Sequence, residues 1–448
     1  MNESNPASPT ETAQAELIIE NLPGVAAYPP DWRTSGGIQF FYREDSVLVR
    51  DWSVPLVTDI AERRVGGPRL TPRSLPGSLT RLTWDRRDDL DSPLTLIARL
   101  EDEDGDGEPV RRGVLAPDHL LYVCVHACAA VEQEPVPADA EPVPRPQYGQ
   151  DTHHPGSRNG KGVEVLVVDS GLVADATQEH PWLAGVTGEQ ENPYAPDGTL
   201  RQDAGHGTFT AGCVRVTAPE AGVHVIDGTV AIAGTGQAGT GAIGAAFESD
   251  LADLIRSALV GGGTPGRPAA VPDVLLVNFA GTTYRDVPPV ALSALYDDLL
   301  QHLKELIVVA PAGNEGDTRK NWPAAYGWAV SVGALAKNWR DLASWSNRGR
   351  NVDVYSPGED LVNAYARGSY TYRWQGPRQG SSVTFDGMAR WSGTSFSTPL
   401  VAGLIASRVS TTGQSSRRAW HSLQDLSEGQ AVAGVGPVLY PGQGTGGR

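Results

Sequence analysis

Short runs dominated by apolar residues recur through the second half of the chain. They lie at 163–168, 223–226, 274–277, 306–310, 329–332 and 352–354. Such runs are typical of strands that are buried on both faces of a parallel sheet. Between them, 243–260 and 290–303 carry apolar residues at i and i+3 or i+4 spacing, which predicts helices. Alternation of strand and helix predicts an α/β fold with a mostly parallel central sheet and helices on both faces.

The first 133 residues have a different pattern and are predicted to form a small α+β domain. Strands are expected at 40–42, 47–49, 94–97 and 120–125, where aromatic, branched and leucine residues are concentrated. The first ~15 residues are polar and are expected to be disordered. The sequence leaves two roles open for residues 1–133, a pro-region that is removed or a permanent accessory domain.

Proline marks the boundary between this N-terminal domain and the α/β region. Residues 134–146 include five prolines, which predicts an extended linker over 134–160. The α/β domain is then expected to cover 161–410. The remaining residues, 411–448, form a C-terminal tail with one predicted helix at 417–426.

Composition narrows the classes of partner. The 448 residues are 40% hydrophobic and carry a formal net charge of −17. Because nucleic acids and anionic membranes attract basic surfaces, neither is expected as a partner, whereas a protein or peptide substrate is compatible with this charge. The sequence gives no indication of the oligomeric state.

Cysteine content and the first residues bear on the compartment. Three cysteines, Cys124, Cys128 and Cys213, are too few for a disulfide framework. The chain starts without a basic and apolar secretory signal, and no apolar run reaches the ~18 residues of a membrane-spanning helix. A cytoplasmic location is expected, with secretion as the alternative if an upstream start codon was missed.

Two short motifs place an aspartate and a histidine beside the predicted sheet. Asp169 follows the apolar run 163–168, at the carboxyl end of a strand, where open α/β sheets place their sites. His206 lies in a Gly-His-Gly-Thr motif, 205–208, before a run of small residues that suits a packed helix. Each motif alone is more often a strand end or a helix cap. Together, the carboxylate would accept a hydrogen bond from the imidazole and fix its tautomer.

Two further motifs complete a candidate site. Ser395 lies in Gly-Thr-Ser-Phe-Ser-Thr-Pro, 393–399, directly before an apolar helical run, so its backbone N–H faces the start of a helix. Asn314 lies in Ala-Gly-Asn-Glu-Gly, 312–316, after a predicted strand. Aspartate, histidine and serine in this chain order are the parts of a nucleophilic triad, and the same order occurs in subtilisin.

These four motifs, in order and in their strand–turn–helix contexts, make residues 162–409 similar to the subtilisin-like serine proteases, or subtilases. The resemblance implies a serine endopeptidase that hydrolyses peptide bonds through an acyl-enzyme, with Asp169, His206 and Ser395 as the triad. It implies Asn314 as the oxyanion donor. It also implies substrate contacts at four small residues, which are Ala280, Gly281, Ala312 and Gly313. No cofactor is required for this chemistry, and structural calcium is possible by the same resemblance.

Several alternatives remain open from the sequence. The same triad could transfer an acyl group to an amine in peptide maturation, or the chain could be a non-catalytic binding scaffold. Glu315, at the edge of the expected pocket, could favour a basic substrate side chain, or be a solvated surface residue. The segment 367–388 is expected to be a surface insertion that serves as a lid or partner loop. Self-cleavage, if it occurs, is expected within 134–160.

Two segments, one acidic and one with cysteines, are candidates for metal sites. The acidic run 102–108 resembles half of a calcium loop but lacks the glutamate that such a loop needs at its twelfth position. Cys124, His126 and Cys128 alternate along a predicted strand and lack a fourth ligand for zinc. A solvated hairpin tip and a half-buried strand are the favoured interpretations, and no metal-binding residue is predicted.

Overall fold

The computed structural model describes residues 22–35, 37–66, 68–86, 90–102, 108–123, 134–145, 159–229, 244–261, 271–373 and 377–442, with isolated positions between 12 and 20. Cys124, His126, Cys128 and positions 103–107 of the acidic run lie outside these residues, so the interpretations made for them stay predictions.

The N-terminal domain is an antiparallel sheet covered by helices. Its strands are β1 (Val25–Tyr28), β2 (Phe40–Arg50), β3 (Leu70–Leu75), β4 (Leu79–Trp84) and β5 (Leu115–Tyr122), and its helices are α1 (Val54–Arg64) and α2 (Pro93–Glu101). Strand β2 pairs with β1, β4 and β5, and β3 pairs with β4. Leu82, Ile60 and Ile97 are buried where the two helices pack on the sheet. The predicted α+β character agrees with this arrangement.

The strand predicted at 94–97 is wrong, because these residues lie in α2. A short apolar run fits a buried helix as well as a strand, and the flanking residues decide between them. Ser92 accepts a hydrogen bond from the Thr95 N–H and so caps the helix, and Pro93 occupies its first turn.

A seven-stranded parallel sheet forms the centre of the second domain. Its strands are β7 (Glu164–Asp169), β8 (Thr187–Gly188), β9 (Gly222–Asp227), β11 (Val274–Val277), β12 (Ile307–Pro311), β13 (Ala329–Leu335) and β14 (Val354–Pro357). The order across the sheet is β14-β13-β12-β11-β7-β9-β8, and every pair is parallel. The helices are α3 (Ala176–Glu179), α4 (His206–Thr217), α5 (Glu248–Val260), α6 (Val290–Asp298), α7 (Thr394–Thr412) and α8 (Ser416–Gly429), with 3-10 turns at Pro181–Leu183, Tyr284–Asp286 and Leu300–His302. A further 3-10 turn, Asp51–Ser53, precedes α1 in the N-terminal domain.

Both faces of this sheet are buried, which explains its continuous apolar runs. Successive side chains of a strand point to opposite faces. Val165 and Val167 of β7 pack in one hydrophobic cluster with α4, α7 and α8, whereas Leu166 and Val168 pack in another with α5 and α6. The predicted α/β fold, with helices on both faces of a parallel sheet, is confirmed.

The segment 367–388, expected to be a surface insertion, belongs to a long hairpin. Strands β15 (Leu361–Thr371) and β16 (Ser382–Trp391) pair in antiparallel fashion, and the hairpin buries Tyr365, Tyr370 and Phe385. Aromatic side chains on alternate positions gave this segment a strand pattern that its glycines obscured.

The proline-rich segment contributes to this hairpin. Residues Val136–Pro137 form β6, which pairs with β16, and Val143 bridges to Val362. Glu134 is buried and accepts hydrogen bonds from the Tyr370 hydroxyl and the Arg373 N–H. The described part of the expected linker, 134–145, is therefore docked on the second domain.

The end of the chain packs on the parallel sheet as well. Helix α8 covers the helix predicted at 417–426 and buries Ala419 and Leu423 in the main hydrophobic cluster. The Leu439 N–H donates to the Tyr355 carbonyl, so residues beyond 411 extend the second domain.

Strand pairing joins the two domains. Strand β10 (Ala245–Phe247), which leads into α5, pairs with β5 and so extends the N-terminal sheet. Asp118 of β5 is fully buried and accepts hydrogen bonds from the N–H and hydroxyl of Ser249, at the start of α5. The same carboxylate forms ion pairs with Arg43 and Arg81. This carboxylate caps a helix N-terminus across the interface, where a negative charge is stabilising.

Candidate active site

Asp169 lies at the carboxyl end of β7, in the middle of the parallel sheet. Its side chain is fully buried. Oδ1 accepts hydrogen bonds from the Ser170 N–H at 2.7 Å and from Nδ1 of His206 at 2.7 Å. Because a carboxylate only accepts, the imidazole is fixed with its proton on Nδ1, and in the neutral ring Nε2 is then the acceptor nitrogen.

His206 is the first residue of α4, the helix expected from the run of small residues that follows it. Its Nε2 is buried and has no hydrogen-bond partner among the residues that the structure describes. The ring packs against Trp391, with centroids 5.3 Å apart, and against Phe396, 5.0 Å apart. These aromatic neighbours exclude water from two sides of the imidazole. The Ser395 hydroxyl is not hydrogen-bonded to Nε2 in this structure and donates to a backbone carbonyl instead.

Ser395 is the second residue of α7 and is 5% exposed. Its hydroxyl donates to the backbone carbonyl of Val123 at 3.3 Å. Val123 follows β5, so the N-terminal domain brings a peptide carbonyl to the predicted nucleophile. The N-terminus of α7 favours negative charge at this point.

Asn314 faces the same carbonyl region from the turn after β12. Its Oδ1 accepts hydrogen bonds from the N–H of Thr394 at 2.9 Å and from the Thr394 hydroxyl at 2.8 Å. Since a backbone N–H can only donate, the amide oxygen must face Thr394, and the Nδ2 group points away from it. Asn314 lines one small cavity with Val123 and Ser395.

A peptide strand occupies the cleft beside these residues. The Tyr122 N–H donates to the Ala280 carbonyl at 3.0 Å, and the Ala280 N–H donates back to Tyr122 at 2.9 Å. On the other side, the Val123 N–H donates to the Gly244 carbonyl at 2.8 Å. The segment that ends at Val123 is therefore held between two backbones, as a substrate added to a sheet edge would be.

The four expected substrate-contact residues differ in what they touch. Ala280 pairs with Tyr122, and a Cβ on Gly281 would lie 2.7 Å from Leu121, so a side chain there would collide with the bound strand. Gly313 lines the small cavity, whereas Ala312 does not. The Ala312 N–H and carbonyl bond instead to Val332 and Asn347, inside the domain.

Glu315 is engaged inside the domain wall. Its Oε2 accepts hydrogen bonds from Asn347 at 2.6 Å and from Asn321 at 3.1 Å. Burial raises the pKa of this carboxyl, and the Asn347 bond opposes that rise. Gly313 has φ 104° and allows these amides to approach, because a Cβ there would lie 2.1 Å from Asn321. Two amides already satisfy the carboxylate, so the structure gives no support to a basic substrate preference at Glu315.

Asn278 belongs to the candidate site, although no role was expected for it from the sequence. It follows β11, is fully buried, and its Nδ2 lies 2.8 Å from Oδ2 of Asp169. The available signal was a polar residue between Val277 and Phe279, in a run that is otherwise apolar. Cys213, by contrast, is buried as expected, and burial raises the pKa of its thiol, which suits a packing role.

A buried group of charges lies behind α4. Glu191 accepts the Gly205 N–H at the start of α4, and Arg201 lies 3.5 Å from Glu191 and 3.4 Å from Asp203. Burial raises the pKa of Glu191 well above its usual range, and burial raises the pKa of the neighbouring Asp227 to about 6. These groups fix the turn that carries His206.

Comparison with known proteins agrees with this geometry. The model of the Subtilase family matches residues 160–446, so the chain belongs to the subtilase family, and its class is that of the subtilisin-like serine proteases, which are hydrolases. Protein or peptide substrates follow from that class.

Curated relatives are identical to this chain at about a quarter of the aligned positions. Thermitase from Thermoactinomyces vulgaris is 27% identical over 299 residues, which cover 63% of this chain and 87% of thermitase. The intracellular serine protease of Paenibacillus polymyxa is 27% identical over 261 residues, 55% of this chain and 66% of that protein.

A solved structure resembles both domains together. Fervidolysin from Fervidobacterium pennivorans, described as a keratinolytic enzyme related to subtilisin, matches with a TM-score of 0.53 at 16% identity. The match covers 91% of this chain and 61% of fervidolysin. At this identity the likeness concerns the fold.

The described residues lack two further features, a membrane-spanning helix and a metal-binding cluster. Among the described residues, no helix combines the length and apolar character that a membrane crossing requires. Over the same residues, no group of three or more His, Cys, Asp or Glu side chains is arranged to hold a metal ion.

Proposed function

We propose that this protein is a serine endopeptidase in which Asp169, His206 and Ser395 act as the catalytic triad. The observation that carries the proposal is a pair of hydrogen bonds, one made by His206 and one made by Ser395. Asp169 holds Nδ1 of His206 at 2.7 Å, and the Ser395 hydroxyl meets a peptide carbonyl at 3.3 Å. Asp169 thus orients the imidazole of His206, and Ser395 meets the kind of group that an endopeptidase attacks.

The reaction follows from the positions of these atoms. Ser395 Oγ attacks the carbonyl carbon of the substrate, and Nε2 of His206 takes the hydroxyl proton. The resulting oxyanion accepts hydrogen bonds from Nδ2 of Asn314 and from the Ser395 N–H. The C–N bond then breaks as His206 returns the proton to the leaving amine. Water, deprotonated by His206, hydrolyses the acyl-enzyme and restores Ser395.

Substrate recognition rests on backbone pairing. A peptide that binds as residues 120–123 do would exchange both hydrogen bonds with Ala280 and donate one to Gly244. Main-chain bonds of this kind give affinity for extended peptides with little dependence on their side chains.

The N-terminal domain is proposed to block this cleft until it is removed. Its last described residues, Tyr122 and Val123, occupy the substrate position, and the Asp118 contacts to α5 hold the domain in place. Of the two roles that the sequence left open, this favours a pro-region. We propose self-cleavage between Val123 and Glu134, upstream of the window expected from sequence, because 134–145 is paired with β16 and Val362.

Covalent labelling tests the activity. Full-length wild type is incubated with a fluorophosphonate and with a fluorogenic peptide library, and the intact mass is measured. We expect one adduct and peptide hydrolysis for wild type, and neither for Ser395→Ala. Ser397→Ala, two residues further along α7, is the matched control and should behave as wild type. Labelling of the Ser395→Ala variant, or a wild type inert in both assays, would overturn the proposal.

A further inference from the structure

Asn278 connects three elements that carry the proposed triad. Its Nδ2 group lies 2.8 Å from Oδ2 of Asp169 on β7, 2.9 Å from the Thr210 hydroxyl on α4, and 3.2 Å from the Ser395 carbonyl on α7. Asn278 itself follows β11, the strand next to β7 in the sheet. One side-chain amide therefore touches the strand of the aspartate, the helix of the histidine and the helix of the serine.

The orientation of this amide follows from the chemistry of its neighbours. A carboxylate oxygen and a backbone carbonyl oxygen both accept hydrogen bonds and cannot donate them. The atom that faces Asp169 and Ser395 must then be the NH₂ group. Among the described residues, Asn278 is the one group that donates to Oδ2 of Asp169, whereas Oδ1 is shared by Ser170 and His206.

The other half of the amide argues against a purely structural role. Oδ1 of Asn278 is buried and has no hydrogen-bond partner among the described residues. A buried polar atom without a partner costs on the order of 1–3 kcal/mol. What the asparagine provides is its donor group.

We propose that Asn278 is a positioning residue that fixes the Asp169 carboxylate and keeps its Oδ1 directed at His206. This inference rests on the proposed function of the triad. Without the Nδ2 donor, Oδ2 of Asp169 is a buried anionic oxygen with no partner, and the carboxylate can rotate to seek one. Rotation moves Oδ1 away from Nδ1 of His206 and misaligns the base.

Two variants separate this role from simple packing. Asn278→Ala removes the donor, and Asn278→Asp keeps the shape but replaces the amide by a second carboxyl group. Val277→Ala, one residue earlier and also buried, is the control for lost packing. For each we measure kcat and KM on a fluorogenic peptide, the dependence of kcat/KM on pH, and the melting temperature.

Loss of positioning lowers kcat and leaves binding intact. Asn278→Ala should lower kcat by on the order of 100-fold, as misplacement by about 1 Å does, with KM within about twofold. In Asn278→Asp two carboxyl groups lie about 3 Å apart and share a proton, which supplies a donor to Oδ2 of Asp169; loss of that proton should move the basic limb of its pH profile to lower pH. Val277→Ala should lower the melting temperature and keep kcat within about twofold.

A second readout does not require turnover. In the Ser395→Ala background, proton NMR detects the low-field Nδ1–H signal of His206, which reports its hydrogen bond to Asp169. We expect Asn278→Ala to shift or broaden this signal and Val277→Ala to retain it. An unchanged signal, or equal kcat for Asn278→Ala and Val277→Ala, overturns the inference. Failure of wild type to hydrolyse peptides overturns the proposed function instead, and the NMR comparison still decides the role of Asn278.

Discussion

The hydroxyl of Ser395 donates a hydrogen bond of 3.3 Å to the carbonyl of Val123, a residue 272 positions earlier in the chain. The nucleophile helix and the last described residue of the N-terminal domain thus meet at one carbonyl group. Under the proposed function, the contact places a peptide of the protein itself where a substrate carbonyl would be attacked.

Self-cleavage is the first expected consequence. Wild type should accumulate as a chain shortened from its N-terminus, with the cut between Val123 and Glu134, because Val123 is the residue held at Ser395. Ser395→Ala should remain intact. N-terminal sequencing and intact mass of both proteins check this, with Ser397→Ala as the control. A cut within 134–145, or a processed Ser395→Ala chain, would contradict it.

Weaker docking of the N-terminal domain should release activity. Asp118→Ala leaves Arg43 and Arg81 without their buried carboxylate and removes the cap on α5. Loss of one partner from a buried charge pair costs about 2–5 kcal/mol, or roughly 30-fold or more in affinity. After self-cleavage, peptide hydrolysis should rise sooner than in wild type. Asp31→Ala, an exposed change in the same domain, should show the same lag before hydrolysis as wild type. An equal lag in all three proteins would show that the Asp118 contacts do not hold the N-terminal domain on the cleft.

Loss of the oxyanion donor should affect the chemical step. Asn314→Ala removes the Nδ2 group that faces the carbonyl region, and kcat should fall about 10²–10³-fold with KM within about twofold. Steady-state kinetics on a peptide substrate measure this. Asn351→Ala, at a half-buried asparagine outside the small cavity, serves as the control. A rise in KM with unchanged kcat would show that Asn314 binds the ground state instead.

Asp227 should make stability depend on pH. Burial raises its pKa from 3.8 to about 6, although bonds from Thr229 and the charge of Arg201 oppose the rise. The folded state therefore holds this proton more tightly than the unfolded state. The stabilisation is complete below pH 3.8 and is lost as the pH rises through about 6.

Replacement of Asp227 by asparagine tests the sign of this effect. Relative to wild type, Asp227→Asn should gain roughly 1–3 kcal/mol in free energy of unfolding between pH 4 and pH 7, because asparagine does not ionise. Urea unfolding at both pH values measures the difference. Asp139→Asn, an exposed change, should run parallel to wild type. If the free energy of unfolding of Asp227→Asn changes with pH in the same way as that of wild type, the pKa of Asp227 is not raised by folding.

Local sequence patterns sufficed for much of the fold. The runs around β7, β11 and β12 predicted a buried parallel sheet because strands covered on both faces need apolar residues at every position. The motifs around Asp169, His206 and Ser395 identified the family because each combines a polar residue with the end of a strand or the start of a helix. Where the pattern was short, as at 94–97, it could not separate helix from strand.

The sequence by itself determined which residues are the candidates for catalysis and that they follow buried strands or begin helices, since these features depend on neighbours in the chain. Only the tertiary structure decided what meets them. Val123 reaches Ser395, and Asn278 reaches Asp169, through backbone pairing and packing between distant segments. No local pattern records such contacts, because they depend on how the strands are ordered across the sheet and how one domain docks on the other.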